Sequence, residues 1–489
     1  MLRSRVSQAR LGRVTTRPIL QAPARALYST SRSSSFSKLK KVTKYTLVVG
    51  MLGAPGLWWL EMTPTRNGDG IFASRLKDSP TEDLTLEHRS SKEDVTRILT
   101  QNAYHVPVKN VAGVDRYDGT QVASHNPCED RFIHGRFPSP WGDDSQWMVW
   151  GIFDGHFGWQ TADLLEKQLL PIVRQSLINA QPTSEKETVD SLVQRTIIQA
   201  FMGLDYSMMG AACAILDSEE PLQDKIKTMI PACAGSCALL TLYDPVTTLL
   251  HVASTGNSTA LLAQKVSDGK WDMMPLSKDH AAYNKAEVDR IKQQHPGEED
   301  VIQHERFLGL PVTRAFGDAR WKFPLAVQKE LTRRFGALGP LKQNIQTPPY
   351  LTAAPDVASV NIDPSKQSFL IMASAGFWEF ITWRQAIDLV GKWIESQGTK
   401  AQYDPEPTYE PFDFGEHDTE AIQHFDKKRT TVQDDNAAVH LVRNALGGNH
   451  HEMLAGRLAM TAPFAYAVRD DITVQVVFFN QSALGSKGK

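Results

Sequence analysis

The tightest constraint on this chain is a set of acidic residues placed against the ends of apolar runs. Trp147-Met148-Val149-Trp150-Gly151-Ile152-Phe153 stops at Asp154-Gly155-His156. A bulky apolar run of this length matches the roughly 4–8 residues of a buried strand. A carboxylate directly after such a strand is held on a rigid element yet faces a cleft. The glycine beside it lets the backbone carbonyl approach a ligand. Glu129-Asp130 forms a second acidic pair, and Asp470-Asp471 leads straight into the apolar run Ile472 to Phe479. Taken singly, each is an ordinary turn. Taken together in one domain, converging carboxylates repel one another unless cations separate them. All-oxygen donors suit hard ions, Mg²⁺ or Mn²⁺, over zinc.

The surrounding sequence predicts one large domain of mixed strands and helices over about residues 96–482. Leu165, Leu169 and Ile172 share a helical face, and Val189 to Met208 and Trp383 to Ile394 read as helices. Ser236 to Tyr243 and Leu249 to Ser254 read as paired strands joined at Asp244-Pro245, with further strands at Ser368 to Ser374 and Ile472 to Phe479. Residues 61–95 are polar and turn-rich and read as a linker. About residues 397–430 are expected to form an acidic, proline-rich surface loop or an interaction segment. Within it, Asp404 to Glu420 holds seven acids and neither Lys nor Arg. Four cysteines cannot build a disulfide framework, and Cys233 and Cys237 read as buried thiols.

Charge is unevenly placed. Eleven of the 53 Lys and Arg residues precede Glu61, the first acid, which leaves 42 bases against 55 acids, about -13 for the remainder. An acidic body of this kind excludes a general nucleic-acid surface. The Arg- and Ser-rich, acid-free residues 1–44 have the composition of a mitochondrial transit peptide, the alternative being a basic tail. Tyr45 to Leu60 is apolar, flanked by lysines on one side and Trp58-Trp59 on the other, and is read as an inner-membrane anchor or sorting segment. The expected location is the mitochondrion, in the matrix or on the intermembrane side.

The order of motifs resembles the metal-dependent protein phosphatase family (PPM type). The matching stretches are Glu129-Asp130-Arg131, Phe153-Asp154-Gly155-His156, Gly235-Ser236, Leu276-Ser277-Lys278-Asp279-His280, Arg314-Ala315-Phe316-Gly317-Asp318, Ala373-Ser374-Ala375-Gly376-Phe377-Trp378 and Arg469-Asp470-Asp471-Ile472-Thr473-Val474. Within the family the chain is most similar to fungal members of the mitochondrial pyruvate dehydrogenase phosphatase-like branch, through Pro127 to Arg131, Thr347 to Ala353 and Asp434 to Leu441. The resemblance implies an α+β fold: a four-layer α-β-β-α sandwich of two antiparallel sheets flanked by helices. It implies hydrolysis of phosphoserine and phosphothreonine at a centre of two Mg²⁺ or Mn²⁺ ions, and a phosphoprotein substrate, plausibly the pyruvate dehydrogenase complex. Carried over by position, Asp154 bridges both ions, Gly155 offers its carbonyl, Glu129 holds the second ion and Asp470 the first. Asp130 supports ligands or water. His156 is either the general acid for the leaving alkoxide or a structural histidine.

Three positions depart from the family pattern. Ala375 stands where a first-metal aspartate is expected, and Asn257 stands where another aspartate is expected. Two negative charges are therefore missing, which weakens the first-metal site. His125, with Asn126 beside it, occupies the position of a phosphate-holding side chain. Two readings follow: a phosphatase, or a pseudophosphatase that keeps the fold and binds phosphoproteins with little turnover.

Overall fold

The computed structural model describes residues 91–266, 269–337, 346–398, 407–412, 425–460, 462 and 465–481. The expected transit peptide, anchor segment and most of the acidic loop lie outside these residues. Among the described residues, no helix is long and apolar enough to cross a membrane.

Sixteen strands carry the architecture among the described residues. In chain order they are β1 (Tyr104–Pro107), β2 (Val114–Val122), β3 (Arg131–Pro138), β4 (Gln146–Phe153), β5 (Gly155–His156), β6 (Gly235–Ser236), β7 (Ala238–Asp244) and β8 (Leu249–Thr255). They continue with β9 (Thr259–Lys265), β10 (Trp271–Pro275), β11 (Ile302–Gln303), β12 (Arg306–Phe307), β13 (Phe316–Gly317), β14 (Asp356–Asn361), β15 (Ser368–Ala373) and β16 (Ile472–Phe479). One sheet runs β1-β2-β16-β15-β9-β10 and the other β14-β8-β7-β4-β3, with antiparallel pairing throughout.

The four layers follow from residues alternating between two apolar environments. In β4, Met148, Trp150 and Ile152 face the other sheet, while Trp147, Val149 and Phe153 face helices. In β15, Leu370 and Met372 face inward, and Phe369, Ile371 and Ala373 face outward. Strands buried on both faces read as continuous apolar runs, because period-two alternation then places an apolar residue on each side. On the β4 side the outer layer is α2 (Gln160–Ile178), α3 (Val189–Ala214) and α4 (Leu222–Cys233), counted after α1 (Lys92–Thr100), which lies on the opposite side. That opposite layer also holds helices Trp383–Gly398, Ala437–Leu446 and His451–Ala459.

Three helices differ from the sequence reading; the simplest case is the helix from Trp383, which runs four residues past Ile394 to Gly398. Helix α1 begins inside the stretch read as linker. Ser91 accepts from the Asp94 amide while Asp94 reaches back to the Ser91 amide, a capping box, and Val95 and Leu99 are buried in the core. Helix α3 runs six residues past Met208, because Met209 and Ala212 continue its buried face through the intervening Gly210. The cysteines are free thiols, Cys237 buried and the other three half-buried. A satellite cluster of Ile291, Val301, Phe307, Leu308, Leu310, Trp321, Tyr350 and Leu351 packs under the β11–β12 hairpin.

Candidate metal centre

The strand pairings bring the acidic motifs to one end of both sheets. In one sheet, Arg131 at the start of β3 pairs with Phe153 at the end of β4, so Glu129-Asp130 and Asp154 leave the sheet side by side. In the other, Val122 at the end of β2 pairs with Ile472 at the start of β16, and Ala373 pairs with both Val474 and Thr259. Asp470-Asp471, Ala375 and Asn257-Ser258 therefore emerge at the same end. Residues more than 300 positions apart meet there because antiparallel ladders return each strand to its neighbour's terminus.

Hydrogen bonds cross the seam between the two sheets. Ala375 donates its amide to Asp154 Oδ2 at 2.8 Å, and Ser258 Oγ donates to the same oxygen at 3.3 Å. The Glu129 amide donates to Asp471 Oδ2 at 2.7 Å, and Thr473 Oγ1 donates to Asp130 Oδ2 at 2.6 Å. Glycines make this closeness feasible. A methyl group at Gly155 would collide with the Glu129 carbonyl, and one at Gly376 would collide with the Asp471 carbonyl.

The electrostatics mark a site short of positive charge. Burial and the charge of Asp154 push the Asp470 carboxyl up to about 7. Burial, then the charges of Asp154 and Asp471, raise Asp130 well above the ordinary carboxylate range. Burial also raises Asp154 and Glu129, against opposing help from the Ala375 amide and from His125 respectively. Carboxylates that repel one another in this way are what divalent cations neutralise, and the oxygen-rich donor set fits hard ions. Against the expected pattern the set lacks two carboxylates, at positions 375 and 257. Position 375 touches Asp154 through its backbone, but its methyl side chain has no oxygen to offer. The Asn257 side chain accepts from Cys237 Sγ through Oδ1 at 3.4 Å and carries no charge.

His125, Asp470 and Asp471 also approach closely enough to share an ion. Asp471, however, spends its oxygens on the protein. It accepts from the amides of Ser124, His125 (2.9 Å) and Glu129, and from His125 Nδ1 at 3.1 Å. Burial would raise its pKa, but these bonds to His125 and the 124–125 amides lower it. Asp471 is thus the anchor of the 124–129 loop, and Asp470 is the carboxylate left for an ion. That anchoring role was missed by sequence reasoning, which had only the doublet to go on.

His125 is tied to this anchor. Burial lowers its pKa, but Asp471 raises it further, to about 9. Asn126 is exposed beside it. His156 Nε2 is 2.8 Å from Asp318 Oδ2, a fully buried carboxylate, and Gly235 packs against that contact. Burial would lower the His156 pKa, yet Asp318's charge and hydrogen bond raise it. One ring nitrogen is therefore committed, and only Nδ1 is left for proton transfer. Glu379, whose amide reaches the Ala375 carbonyl one turn back, stands exposed at the rim.

The protein phosphatase 2C family model matches residues 118–406. A protein phosphatase 2C homolog of Schizosaccharomyces pombe is 38% identical over 80% of this chain and 86% of its own length. The mitochondrial [pyruvate dehydrogenase [acetyl-transferring]]-phosphatase 1 of Saccharomyces cerevisiae is 32% identical over 86% of this chain and 78% of its own. Its Bos taurus namesake is 30% identical over 80% and 83%. Among solved structures, a serine-threonine phosphatase 2C from Toxoplasma gondii matches 77% of this chain at 16% identity, with a TM-score of 0.44. The chain belongs to the protein phosphatase 2C family. It is a protein phosphatase, an enzyme of a metal-dependent family that acts on phosphoproteins.

Proposed function

We propose that this phosphatase removes phosphate from phosphoserine and phosphothreonine of the mitochondrial pyruvate dehydrogenase complex. The observation that carries the chemistry is the meeting of Glu129, Asp130, Asp154 and Asp470 across the seam between two sheets, with their pKa values raised by burial and mutual repulsion. Relatives named mitochondrial pyruvate dehydrogenase phosphatases support the substrate, and the acid-free N-terminal 60 residues support import. Asp154 would serve both ions, Glu129 and the Gly155 carbonyl would hold one, and Asp470 would hold the other. Thr473 orients Asp130 behind them. When bound, the divalent ions supply positive charge to the phosphoryl oxygens and lower the pKa of water. His125 and Asn126 border the phosphate. His156, fixed by Asp318, either protonates the leaving alkoxide through Nδ1 or holds the turn after Asp154.

A pseudophosphatase reading draws support from Ala375 and Asn257, which leave one ion with fewer charged donors. Release of phosphate from phosphorylated pyruvate dehydrogenase, measured with and without Mn²⁺, separates the two. Metal-dependent release that falls at least about 100-fold in Asp154→Asn supports the enzyme reading. Release that survives the substitution refutes the role given to Asp154, and no release at any Mn²⁺ concentration favours the pseudophosphatase.

A further inference from the structure

The histidine beside the metal centre sits on a small sheet of its own. Strands β5, β6 and β13 pair antiparallel, so His156, Gly235 and Gly317 lie side by side in register. Asp318 follows Gly317 directly, and both are left-handed, with φ of 54° and 73° respectively. Aspartate enters that region more readily than most residues, but still at a cost. Its neighbours hold it there: the Asp318 amide donates to the Ala234 carbonyl at 2.8 Å. A methyl group at Gly235 would strike both His156 Nε2 and the Asp318 carboxylate, so the middle strand is bare where the two side chains meet.

Behind this turn lies a buried ion pair. Asp205 comes from α3, and Lys322 Nζ donates to both of its carboxylate oxygens at 2.8 Å. Each partner also binds backbone. Lys322 Nζ donates to the Ala315 carbonyl at 2.7 Å, and Asp205 Oδ1 accepts from the Gly317 amide at 3.0 Å. The pair therefore clasps the chain on both sides of Phe316, immediately before Asp318. Such a pair gains little net stability over apolar packing of similar volume, because desolvation offsets the attraction. Its value here lies in the backbone that it fixes.

We propose that Asp205 and Lys322 are positioning residues: by clasping the 315–317 backbone they set Asp318 where it holds the His156 ring toward the leaving serine oxygen. This deepens the proposed phosphatase function and rests on it, taking the first of the two roles open to His156. As the bond from phosphorus to the serine oxygen breaks, the bonding electrons stay on that oxygen and a proton passes to it from His156 Nδ1. Water supplies the oxygen that phosphorus gains, and a proton released from that water restores the ring. Asp318 contributes by fixing the other nitrogen, Nε2, at 2.8 Å. A small displacement of such a group costs far more in rate than in binding.

The test uses the full-length protein with Mn²⁺ and two substrates of unlike leaving group, a phosphoserine peptide and p-nitrophenyl phosphate. Nitrophenolate is a weak base and leaves without a proton, whereas a serine alkoxide needs one. Replacing the pair together, as Asp205→Leu with Lys322→Met, strands no charge in the interior. This double variant is expected to lose at least about tenfold in kcat on the phosphopeptide. Its KM, its Kd for Mn²⁺ by calorimetry and its rate on p-nitrophenyl phosphate should stay within about twofold of wild type. The neutral pair Asp205→Asn with Lys322→Gln keeps a donor and an acceptor at the clasp and should recover most of the loss. Gly235→Ala presses on the His156–Asp318 contact from β6 and should also lose more on the phosphopeptide than on p-nitrophenyl phosphate; it decides the matter if the apolar pair does not melt cooperatively. An equal loss on both substrates, or weakened Mn²⁺ binding, overturns the proposal, because a pair that only supports the fold acts on both alike. Full phosphopeptide turnover in the apolar pair overturns it too. A wild type that hydrolyses neither substrate at any Mn²⁺ concentration is a different result: it sinks the phosphatase reading, and the proposal with it.

Discussion

Ala375→Asp should make the protein less stable without metal and more stable with it. The Ala375 amide is 2.8 Å from Asp154 Oδ2, so a carboxylate on this side chain would stand about 5 Å from that of Asp154. At an effective dielectric near 20, two unit charges at that distance repel by about 3 kcal/mol. Protonation relieves part of this, since Asp470 already titrates at about 7, and leaves a cost of roughly 1–2 kcal/mol at neutral pH. In EDTA the melting temperature should fall by a few degrees. In Mn²⁺ the same carboxylate becomes a donor, and affinity should tighten at least about tenfold. At saturating metal, a tenfold change in Kd returns about 1.4 kcal/mol. The signature is a crossing: calorimetry shows tighter Mn²⁺ binding, and the metal-induced rise in melting temperature exceeds that of wild type. Combined with Asn257→Asp, Mn²⁺-dependent hydrolysis should rise at least about tenfold. An unchanged Kd, with the melting temperature lowered equally in EDTA and Mn²⁺, would refute the argument that position 375 is a vacated donor site.

Gly155→Ala should cost about 1–3 kcal/mol by pressing a methyl group into the Glu129 carbonyl, and should weaken Mn²⁺ binding about tenfold; urea melts and calorimetry check the two effects separately. Glu287 is buried, which pushes its carboxyl up, but Arg314 and Arg290 override this and hold it at about 2. Its folded pKa lies below the ordinary glutamate value of 4.5, so its contribution of about 3 kcal/mol is full above that pH and lost as pH falls toward 2. Glu287→Gln should therefore destabilise strongly at pH 7 and much less at pH 3 in urea denaturation, and an equal loss at both would count against the ion-pair account.

What could be read from the sequence, and what could not, divides by distance along the chain. Strand β4 was legible because a run of seven residues, all apolar and six of them bulky, suits a strand buried on both faces. The acids were legible because each adjoins such a run. Pairing was not local information: His156 finds Asp318 162 positions away, and Asp471 finds the 124–129 loop 342 or more positions away. Asp470 and Asp471 look alike in the sequence, and only the four N–H groups converging on Asp471 separate anchor from donor. The left-handed backbone at Phe157, with φ of 58°, was equally hidden, since phenylalanine is not the residue that announces it. Helix α1 was read as linker because its polar face outweighs the two core residues, Val95 and Leu99, although the capping box at Ser91 and Asp94 was there to be found.

The seam between the sheets has a mechanical corollary. Each half of the sandwich owns only part of the candidate donor set: Glu129 and Asp154 belong to one, Asp470 to the other. Cations seated there would act as a rivet through both plates. Slippage of one sheet over the other by a single side-chain width would empty the rivet hole, so the chemistry reports on the alignment of the whole sandwich, and remote mutations that loosen the inter-sheet packing should silence the enzyme before they unfold it.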